Sequence, residues 1–372
     1  MRIVIDARMY QESGVGRYIR NLISELQILE KENEYLILLT KKDYDNLDLN
    51  KNFKKVLANF RWYGVEEQIK LPKLLKELKP DLVHFPHFNI PIFYKGKFIV
   101  TIHDLIHQHF QMKRATTLNP LTYKIKQLAY KKVFKKAIVD SKKILVPSNY
   151  VKNLLVKDWD IDANRVVVTY EAVDEDIFSI AKRIKRERIN QVMKKFRIRP
   201  PFLFYVGNAH PHKNVEGLIR AFLELRKKYP YLQLVLSGHD HYFWQKLKGE
   251  NQHKDIIYTG FITDEELVAL YRNAQCFVLP SFEEGFGIPL LESMACNCPV
   301  VSSNKGSLPE IGGEATLYFN PHNLIDIKEK ISQILDSQKI RNSLIEEGKK
   351  RVLEFSWKTL AKKTLDVYQN II

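Results

Sequence analysis

Residues 276–303 read CFVLPSFEEGFGIPLLESMACNCPVVSS. The apolar run from Cys276 to Leu279 is typical of a short buried strand. Pro289 stands where the first position of a helix is expected, and the apolar residues after it predict one buried helix face. Pro299-Val300-Val301 then begins another strand. The order predicts a strand, loop, helix and strand, with glycines in the turn that leads into the helix.

The glycine-containing turn favours an anionic ligand. A helix start carries about half a positive charge, and glycines let backbone N–H groups face outwards, so a phosphate can dock there. Glu284 and Glu292 flank the turn, eight residues apart. Since carboxylates would repel a phosphate, we expect each to accept hydrogen bonds from sugar hydroxyls on either side of it. The alternative is a tight turn followed by a solvated helix with two ordinary surface glutamates.

The segment EGFGIPLLESMA, which begins at Glu284, resembles the signature of the retaining glycosyltransferases of family 4, which have the GT-B fold. In that family the first glutamate contacts hydroxyls of the transferred sugar, and the second holds the ribose of the nucleotide. The resemblance therefore implies a catalytic and donor-binding role for Glu284 and a donor-binding role for Glu292. It extends the donor site to the residues after the first glutamate: Gly285, Phe286, Gly287 and Ile288.

Length and composition limit the class of protein. A chain of 372 residues predicts two domains, and its net charge of +16 allows binding to nucleic acid, anionic membranes or phosphorylated substrates. Three cysteines suit a reducing compartment better than a disulfide framework. The start of the chain shows no signal-peptide pattern, and no apolar run reaches the roughly 18 residues of a bilayer crossing. We therefore expect a cytoplasmic protein whose charge allows peripheral binding to the inner face of the membrane.

A glycine-rich turn follows the first predicted strand. Ser13-Gly14-Val15-Gly16 precedes the helix predicted from Gly16 to Leu29 and suits a phosphate at a helix start. A dinucleotide-binding fingerprint is poorly matched, because Ile19 stands in place of its third glycine. A plain helix entry is the alternative. The turn resembles the family's first loop, which implies that Gly14 and Gly16 contact the donor diphosphate.

Polar side chains follow several strands in the first half of the chain. Strands separated by helices predict a parallel sheet, and ligands bind beyond the carboxyl ends of such strands. A lone histidine after a strand is more often structural, but several at one edge favour a ligand site. The family's histidine beside the transferred sugar corresponds to His103, which is therefore predicted to be catalytic. Four residues are predicted to contact the acceptor: Arg17, His84, His87 and Asp104.

The strand predicted from Phe202 to Val206 begins a second series of the same alternation. In the family an arginine or asparagine and then a lysine grip the donor diphosphate after this strand. Asn208 matches the first position with a neutral amide, and Lys213 matches the lysine, with a catalytic role implied. A lysine at a helix start opposes the helix dipole, which favours anion binding over a structural role. Gly238 and the turn Gly260-Phe261-Ile262 are predicted to shape the nucleotide-base pocket.

Lysines crowd residues 112–143, which are predicted to be mainly helical. One interpretation is a solvated helix face. The other is a surface that docks on anionic lipid head groups, which we call the Lys113–Lys143 region. Each basic residue near such a membrane contributes about 1 kcal/mol of binding free energy. Family members that act on lipid-linked acceptors use their first domain in this way. No nucleic-acid-binding module accompanies the lysines, so we expect no nucleic-acid partner.

The resemblance covers nearly the whole chain and implies an α/β fold of GT-B type. Two Rossmann-like, doubly wound parallel-sheet domains would face each other across a cleft. We predict an acceptor-binding domain in residues 1–178, a linker in 179–199 and a donor-binding domain in 200–355. The final helix, 356–372, is expected to cross back onto the first domain. Glu171-Ala172 replaces the family's asparagine-glycine turn, so the resemblance is looser there.

The implied reaction moves a hexose, with a mannose type favoured, from a GDP- or UDP-linked sugar to a glycan or lipid-linked saccharide during polysaccharide assembly. The family retains the anomeric configuration, and the departing diphosphate helps to deprotonate the acceptor. Asp158-Trp-Asp160 lacks a convincing metal-binding context, so we predict no metal and no cofactor. Three alternatives stay open: a GT-B epimerase or phosphorylase, a nicotinamide-dependent oxidoreductase, and a noncatalytic basic protein bound to membrane or nucleic acid.

Overall fold

The computed structural model describes residues 1–109, 120–239 and 242–371 of the chain. Strands and helices alternate along it, because short strand-forming segments of three to six residues are separated by longer segments with helical periodicity. The strands are β1 (Arg2–Asp6), β2 (Glu34–Leu39), β3 (Phe53–Leu57), β4 (Leu82–Phe85), β5 (Phe98–Thr101), β6 (Ile144–Val146), β7 (Val166–Val168), β8 (Phe202–Val206), β9 (Gln233–Ser237), β10 (Ile256–Gly260), β11 (Cys276–Leu279), β12 (Val300–Ser303) and β13 (Thr316–Phe319).

Helices connect the strands, and most carry one apolar face. The helices are α1 (Gly14–Leu29), α2 (Lys41–Asn46), α3 (Val65–Leu78), α4 (Ile106–His109), α5 (Pro120–Asp140), α6 (Asn149–Trp159), α7 (Glu175–Arg183), α8 (Arg186–Phe196), α9 (Val215–Leu225), α10 (Tyr242–Glu250), α11 (Asp264–Asn273), α12 (Ile288–Ala295), α13 (Leu308–Gly312), α14 (Leu324–Asp336), α15 (Gln338–Arg351) and α16 (Trp357–Gln369). Within the described ranges, no helix has both the length and the apolar character that a bilayer crossing requires.

The strands form two parallel sheets, as predicted. Their orders are β3-β2-β1-β4-β5-β6-β7 and β10-β9-β8-β11-β12-β13. In each sheet the chain first winds outwards in one direction and then resumes on the other side of its first strand. This reversal point lies between β1 and β4 in the first sheet and between β8 and β11 in the second. In doubly wound sheets, ligands bind beyond the carboxyl ends of the strands at such a reversal point.

The first compact unit contains the seven-stranded sheet. It comprises Met1–Leu105, the described chain from residue 120 to Glu171, and the C-terminal segment that begins at Ser356. Helix α16 packs against α1 in this unit. Both central strands, β1 and β4, are buried along nearly their whole length, because helices cover both faces of the sheet.

The second compact unit contains the six-stranded sheet and comprises Ala172–Phe355 together with α4. The division falls after Glu171, earlier than the boundary predicted at residue 178. Residues 179–199, which were predicted to be a linker, contribute to α7 and α8, and both helices pack against α11. Their apolar faces are buried, with Ile177 and Ala181 in α7 and Ile189 in α8. The high charge of this segment concealed those faces in the sequence.

Candidate active site

A lysine and a glutamate meet at the reversal point of the second sheet. Lys213 lies in a short 3₁₀ turn after β8, and Glu284 lies in the loop after β11. The Lys213 ammonium donates to both carboxylate oxygens of Glu284, over 2.7 and 2.8 Å. Ser281 Oγ donates to Oε1 of the same carboxylate over 2.6 Å. The structure therefore brings together two residues that the sequence analysis placed in the donor site.

Asn214 holds the two loops in register. Its backbone adopts the left-handed conformation at φ 54°, which turns the chain into α9 directly after Lys213. Its amide nitrogen donates to the carbonyl oxygens of Pro280 (3.1 Å) and Pro321 (3.2 Å). The buried amide thus ties the loop that carries Lys213 to the chain after β11 and the chain after β13, and the sequence analysis did not identify it.

The loop after β12 fixes the backbone of Glu284 from the other side. Gly306 has φ 65°, and a Cβ there would lie 2.7 Å from the backbone nitrogen of Glu284. Ser307 Oγ lies 3.1 Å from the carbonyl oxygen of Glu284 and 2.8 Å from that of Phe286, and its hydroxyl donates to these acceptors. Sequence reasoning missed this support. Its one local signal was a Gly-Ser pair soon after a buried strand.

The predicted strand, loop, helix and strand are confirmed as β11, α12 and β12. Gly287 has φ 104° and precedes α12, and Pro289 lies in the first turn. Glu292 lies on the buried face of α12, where Tyr271 donates its hydroxyl to Oε2 over 3.2 Å. Because Glu284 and Glu292 are both buried, the alternative of ordinary surface glutamates is wrong. Between them, Gly285 and Phe286 are buried and Ile288 is half-buried.

The residues predicted to shape the base pocket lie at the ends of two neighbouring strands, β9 and β10. Gly238 follows β9, and its backbone N–H donates to the Gly260 carbonyl oxygen at the end of β10. A Cβ on Gly238 would lie 2.1 Å from the Gly207 carbonyl oxygen, so close packing alone requires glycine there. Phe261 is two-thirds exposed with its ring 4.6 Å from that of His239, and Ile262 is half-buried. Asn208 is exposed after β8.

The glycine-rich turn of the first unit differs in detail from its prediction. Helix α1 begins at Gly14, two residues earlier than expected, so both glycines lie in its first turn. A Cβ on Gly16 would lie 2.5 Å from the Tyr10 carbonyl oxygen, whereas a Cβ on Gly14 would meet nothing within 4 Å. Close packing thus explains Gly16, while Gly14 is exposed. Arg17, in the same turn of helix, is half-buried.

His103 is held by two acceptors at the carboxyl end of β5. Nδ1 lies 3.0 Å from Glu171 Oε1, and Nε2 lies 2.9 Å from the Pro86 carbonyl oxygen. Burial alone would lower the pKa of His103, but the hydrogen bond and the charge of Glu171 outweigh it and raise that pKa. Both nitrogens can donate at once only in the imidazolium form. The geometry therefore suits a fixed cation rather than a general base.

His84 requires a correction. Its side chain is completely buried, with Nδ1 2.6 Å from the Tyr368 hydroxyl and Nε2 2.8 Å from Thr101 Oγ1. Burial lowers the pKa of His84 to about 3, so the ring is neutral. Its position in the core, where it joins β4 to β5 and α16, excludes the predicted contact with an acceptor.

The two other predicted acceptor residues are half-buried at the same edge of the first sheet. His87 follows β4, where its Nδ1 accepts from the Asn89 backbone N–H over 3.3 Å. The Tyr63 ring stands edge-on to that of His87 at 5.9 Å. Asp104 follows directly after His103. Both remain predictions as contacts to an acceptor.

A buried charge cluster that sequence reasoning missed lies at the reversal point of the first sheet. Arg8 follows β1 and is 2% exposed, and its Nε and Nη2 donate to Asp6 over 2.8 and 2.6 Å. Nη2 also donates to Glu67 Oε1 over 2.5 Å, and the Asn89 amide donates to both oxygens of Glu67. Burial raises the pKa of Glu67, although Arg8 and Asn89 oppose that shift. An arginine directly after a buried strand was the available signal.

Comparisons with known proteins agree with this architecture. A sequence model described as Glycosyltransferase Family 4 matches residues 13–177, and one described as Glycosyl transferases group 1 matches residues 188–351. The O-antigen chain mannosyltransferase B of Escherichia coli is 28% identical over an alignment of 384 residues, gaps included. The alignment covers 97% of each chain. The serotype-specific mannosyltransferase WbdA of Escherichia coli is 32% identical over 226 residues, which cover 59% of this chain and 27% of that longer protein.

Solved structures share the fold. Anabaena HepE in complex with UDP-glucose matches over the full length of both chains with a TM-score of 0.76 and 15% identity. The two doubly wound parallel sheets and this structural match are those of the GT-B fold. The two sequence matches together span both units, and the chain belongs to the family 4 type of GT-B glycosyltransferases. The resemblance seen in residues 284–295 is thereby confirmed.

Proposed function

We propose that the protein transfers a hexose, of mannose type, from a nucleoside diphosphate sugar to a glycan or lipid-linked saccharide, with retention at the anomeric carbon. The observation that carries the proposal is the Lys213–Glu284 ion pair at the reversal point of the second sheet. The names of the relatives, which are O-antigen and serotype-specific mannosyltransferases, support the choice of sugar. UDP-glucose in the HepE structure supports a nucleotide-linked donor.

The ion pair suits a donor that carries both phosphates and hydroxyls. Lys213 and Glu284 are less than one-fifth exposed, so water screens their charges only weakly. A diphosphate can take the place of the carboxylate at the ammonium group, and the released carboxylate can accept hydrogen bonds from the sugar hydroxyls. Glu292, held by Tyr271, is placed to accept hydrogen bonds from the ribose in the same manner. Each charge of the ion pair therefore has a partner in the donor.

The reaction needs only the chain's own charges. The acceptor hydroxyl oxygen bonds to the anomeric carbon while the bond from that carbon to the phosphate oxygen breaks. The hydroxyl proton passes to the departing diphosphate, which leaves as the free nucleotide. Lys213 stabilises the negative charge that grows on the leaving group, which is usually the largest single contribution in such a site. We accordingly propose that the reaction is independent of metal ions and that His103 contributes a fixed positive charge.

The test is a thermal-shift panel of nucleoside diphosphate sugars, followed by turnover measurements with the sugars that bind. We expect GDP-mannose or a UDP-hexose to raise the melting temperature, and free nucleoside diphosphate to form only when acceptor is added. The same turnover in EDTA as in magnesium is expected. Release of nucleotide without acceptor, or a stabilisation by nicotinamide cofactors alone, would contradict the proposal.

We also propose that the first unit docks on anionic lipid through helix α5. Residues 110–119 of the predicted Lys113–Lys143 region lie outside the described residues. In the described part of that region, exposed lysines include Lys126, Lys131, Lys132 and Lys135. Co-sedimentation with vesicles should rise with phosphatidylglycerol content and fall with salt. Equal sedimentation with neutral vesicles would contradict lipid docking without affecting the proposed transfer.

A further inference from the structure

A series of hydrogen bonds crosses the core of the first unit. The Tyr368 hydroxyl of α16 lies 2.6 Å from His84 Nδ1, and His84 Nε2 lies 2.8 Å from Thr101 Oγ1 of β5. Thr101 Oγ1 in turn lies 3.1 Å from the Tyr18 hydroxyl of α1. All four side chains are at most 1% exposed. The series therefore joins α16 to two strands and to α1, and the proposed reaction gives it no role.

The series also returns to α16. The Tyr18 hydroxyl has Thr364 as a second hydrogen-bond partner. The Thr364 hydroxyl donates to the Leu360 carbonyl oxygen over 2.9 Å. Leu360, Thr364 and Tyr368 are spaced four residues apart, so they lie along one face of the helix. Helix α16 is thus tied to the rest of the unit at two points of one closed path. We call the five side chains of this path the α16 network: Tyr18, His84, Thr101, Thr364 and Tyr368.

One end of the α16 network sets the direction of every hydrogen bond in it, because each hydroxyl has a single proton. A carbonyl oxygen only accepts, so Thr364 donates to Leu360 and accepts from Tyr18. The Tyr18 oxygen then accepts from Thr101, and Thr101 accepts from His84 Nε2–H. Burial lowers the pKa of His84 to about 3, so the ring is neutral and its Nδ1 accepts from Tyr368. In this order every polar hydrogen of the network has an acceptor, and a fully satisfied buried network is rigid.

The α16 network supports His103 in two ways. The Tyr18 ring meets the imidazole ring edge to face, with 4.9 Å between the centroids and 81° between the planes. Thr101 is the last residue of β5, two positions before His103. Both supports restrain the orientation in which Nδ1 meets Glu171 and Nε2 meets the Pro86 carbonyl oxygen. The direction of the His103 ring therefore depends on side chains that α16 holds in place.

We propose that the α16 network makes α16 a positioning element of the active site, with Tyr18 and Thr364 as positioning residues that fix the orientation of His103. The assignment rests on the proposed glycosyl transfer, in which His103 supplies a fixed positive charge. Loss of one link lets the Tyr18 ring move and loosens the imidazolium. The reaction step then slows more than nucleotide-sugar binding weakens, because the misplaced charge acts at the reacting centre.

NMR of the histidine rings in the full-length protein tests the network without knowledge of the substrates. At about pH 6 the raised pKa of His103 keeps it an imidazolium, and His103→Gln identifies the signals of its two ring N–H protons. Tyr18→Phe and Thr364→Val each remove one hydroxyl and keep the size of the side chain. Urea unfolding shows whether each variant is folded.

Ser356→Ala is the matched control. Ser356 Oγ caps α16 by accepting from the Thr359 backbone N–H over 3.4 Å, and it lies outside the α16 network. Loss of this cap weakens the helix without opening the network. The control therefore separates general loosening of α16 from loss of the hydrogen-bonded path.

We expect the ring N–H protons of His103 to exchange with water at least about tenfold faster in both network variants than in the wild type, the usual effect of one lost buried hydrogen bond. Ser356→Ala should match the wild type. In turnover, both network variants should lower kcat about tenfold and change the KM for the nucleotide sugar by less than about twofold. The nitrogen shifts of His84 should show the proton on Nε2.

Equal exchange in the wild type and the network variants, or an equally large effect of Ser356→Ala, would overturn the proposal. A proton on Nδ1 of His84 would also overturn it, because the order of hydrogen bonds would then be wrong. Should Tyr18→Phe fail to fold, Thr364→Val decides. A wild type that turns over no nucleotide sugar but shows the expected exchange pattern would refute the proposed transfer while supporting the hold of the network on His103.

Discussion

The two sheets reverse their strand order in the same way, but they place different charges at the reversal point. In the second unit one lysine faces one glutamate, and the lysine side chain is 18% exposed. In the first unit one arginine faces two carboxyl groups, and the arginine side chain is 2% exposed. Equivalent positions in two similar sheets thus hold an exchangeable ion pair in one case and an enclosed, acid-rich cluster in the other.

The side chains themselves explain the difference. Lysine has a compact charge on a flexible stem, so Lys213 can leave one anion for another with little rearrangement. Arginine has a planar fork, and the Arg8 fork is held on two sides by Asp6 and Glu67. In the proposed reaction the second unit therefore exchanges its ion pair for a diphosphate, whereas the charges around Arg8 stay fixed. The same sheet topology thus holds a mobile or a fixed cation according to the side chains at one edge.

The sharpest test of this contrast is the loss of the exchangeable pair. Lys213→Ala should lower kcat by about 10²–10³-fold, because removal of one preorganised donor at a developing charge commonly costs about 2.7–4 kcal/mol.

Glu284→Gln should lower turnover at least about tenfold with the fold intact, since a neutral amide binds sugar hydroxyls less strongly than a carboxylate does. Nucleotide release in the presence of acceptor measures both. Lys227→Ala, at a largely exposed lysine, is the control, and unchanged turnover in Glu284→Gln would remove that residue from the site.

Removal of the enclosed cation should instead destabilise the fold. Arg8→Met leaves two carboxyl groups buried without their counter-charge, and we expect a loss of about 3–5 kcal/mol in the free energy of unfolding. The loss should shrink at low pH. Glu67 has a raised pKa in the folded protein, so folding favours its protonated form. Its contribution to the free energy of unfolding is therefore lost as pH rises through that pKa. Urea unfolding at several pH values measures this. A loss well below about 3 kcal/mol at neutral pH, or one that does not shrink at low pH, would contradict this account.

Gly306 packs against the backbone of Glu284. We expect a substitution of this glycine to have a smaller effect than the loss of Lys213 or Arg8. Gly306→Ala introduces a methyl group 2.7 Å from the Glu284 backbone nitrogen at a residue with positive φ. We expect a loss of about 1–3 kcal/mol in stability and a fall in turnover, because the carboxylate shifts with its backbone. Gly14→Ala is the matched change in the first unit, where the methyl group meets nothing within 4 Å. It should be neutral or stabilising by up to about 1 kcal/mol in thermal unfolding, and equal losses in both variants would contradict this account.

The smallest predicted effect concerns pH. The folded pKa of His103 is raised above its unfolded value, so its contribution to stability is complete below the unfolded pKa of about 6.5 and is lost as pH rises through the folded pKa. Glu171→Gln should reduce this dependence, because it removes the charge that raises the pKa. NMR titration of the His103 ring, with unfolding measured between about pH 5 and pH 9, tests both points. If the pKa of His103 in Glu171→Gln equals that of the wild type, Glu171 is not the cause of the raised value.

Several features of the site followed from local pattern. The strand and helix flanking residues 280–287 were predictable, because apolar runs, a glycine turn and a proline in the first helical turn act over a few residues. Glu284 and Lys213 were identified from residue types after strands and from family resemblance. The prediction that His84 contacts the acceptor failed because a local pattern does not show which way a side chain faces. A histidine in the last residues of a strand has the same local pattern whether its ring faces the core or the edge of the sheet.

The sequence by itself determined the alternation of strands and helices, the parallel sheets and the carboxyl-end position of the candidate residues, since periodicity and turn chemistry are local properties. Tertiary structure alone decided which charges meet. Lys213 and Glu284 are 71 positions apart and Arg8 and Glu67 are 59 apart, and only the tertiary fold brings each pair together. It also decided which charges remain exchangeable, because burial and hydrogen bonding depend on neighbours that lie far away along the chain.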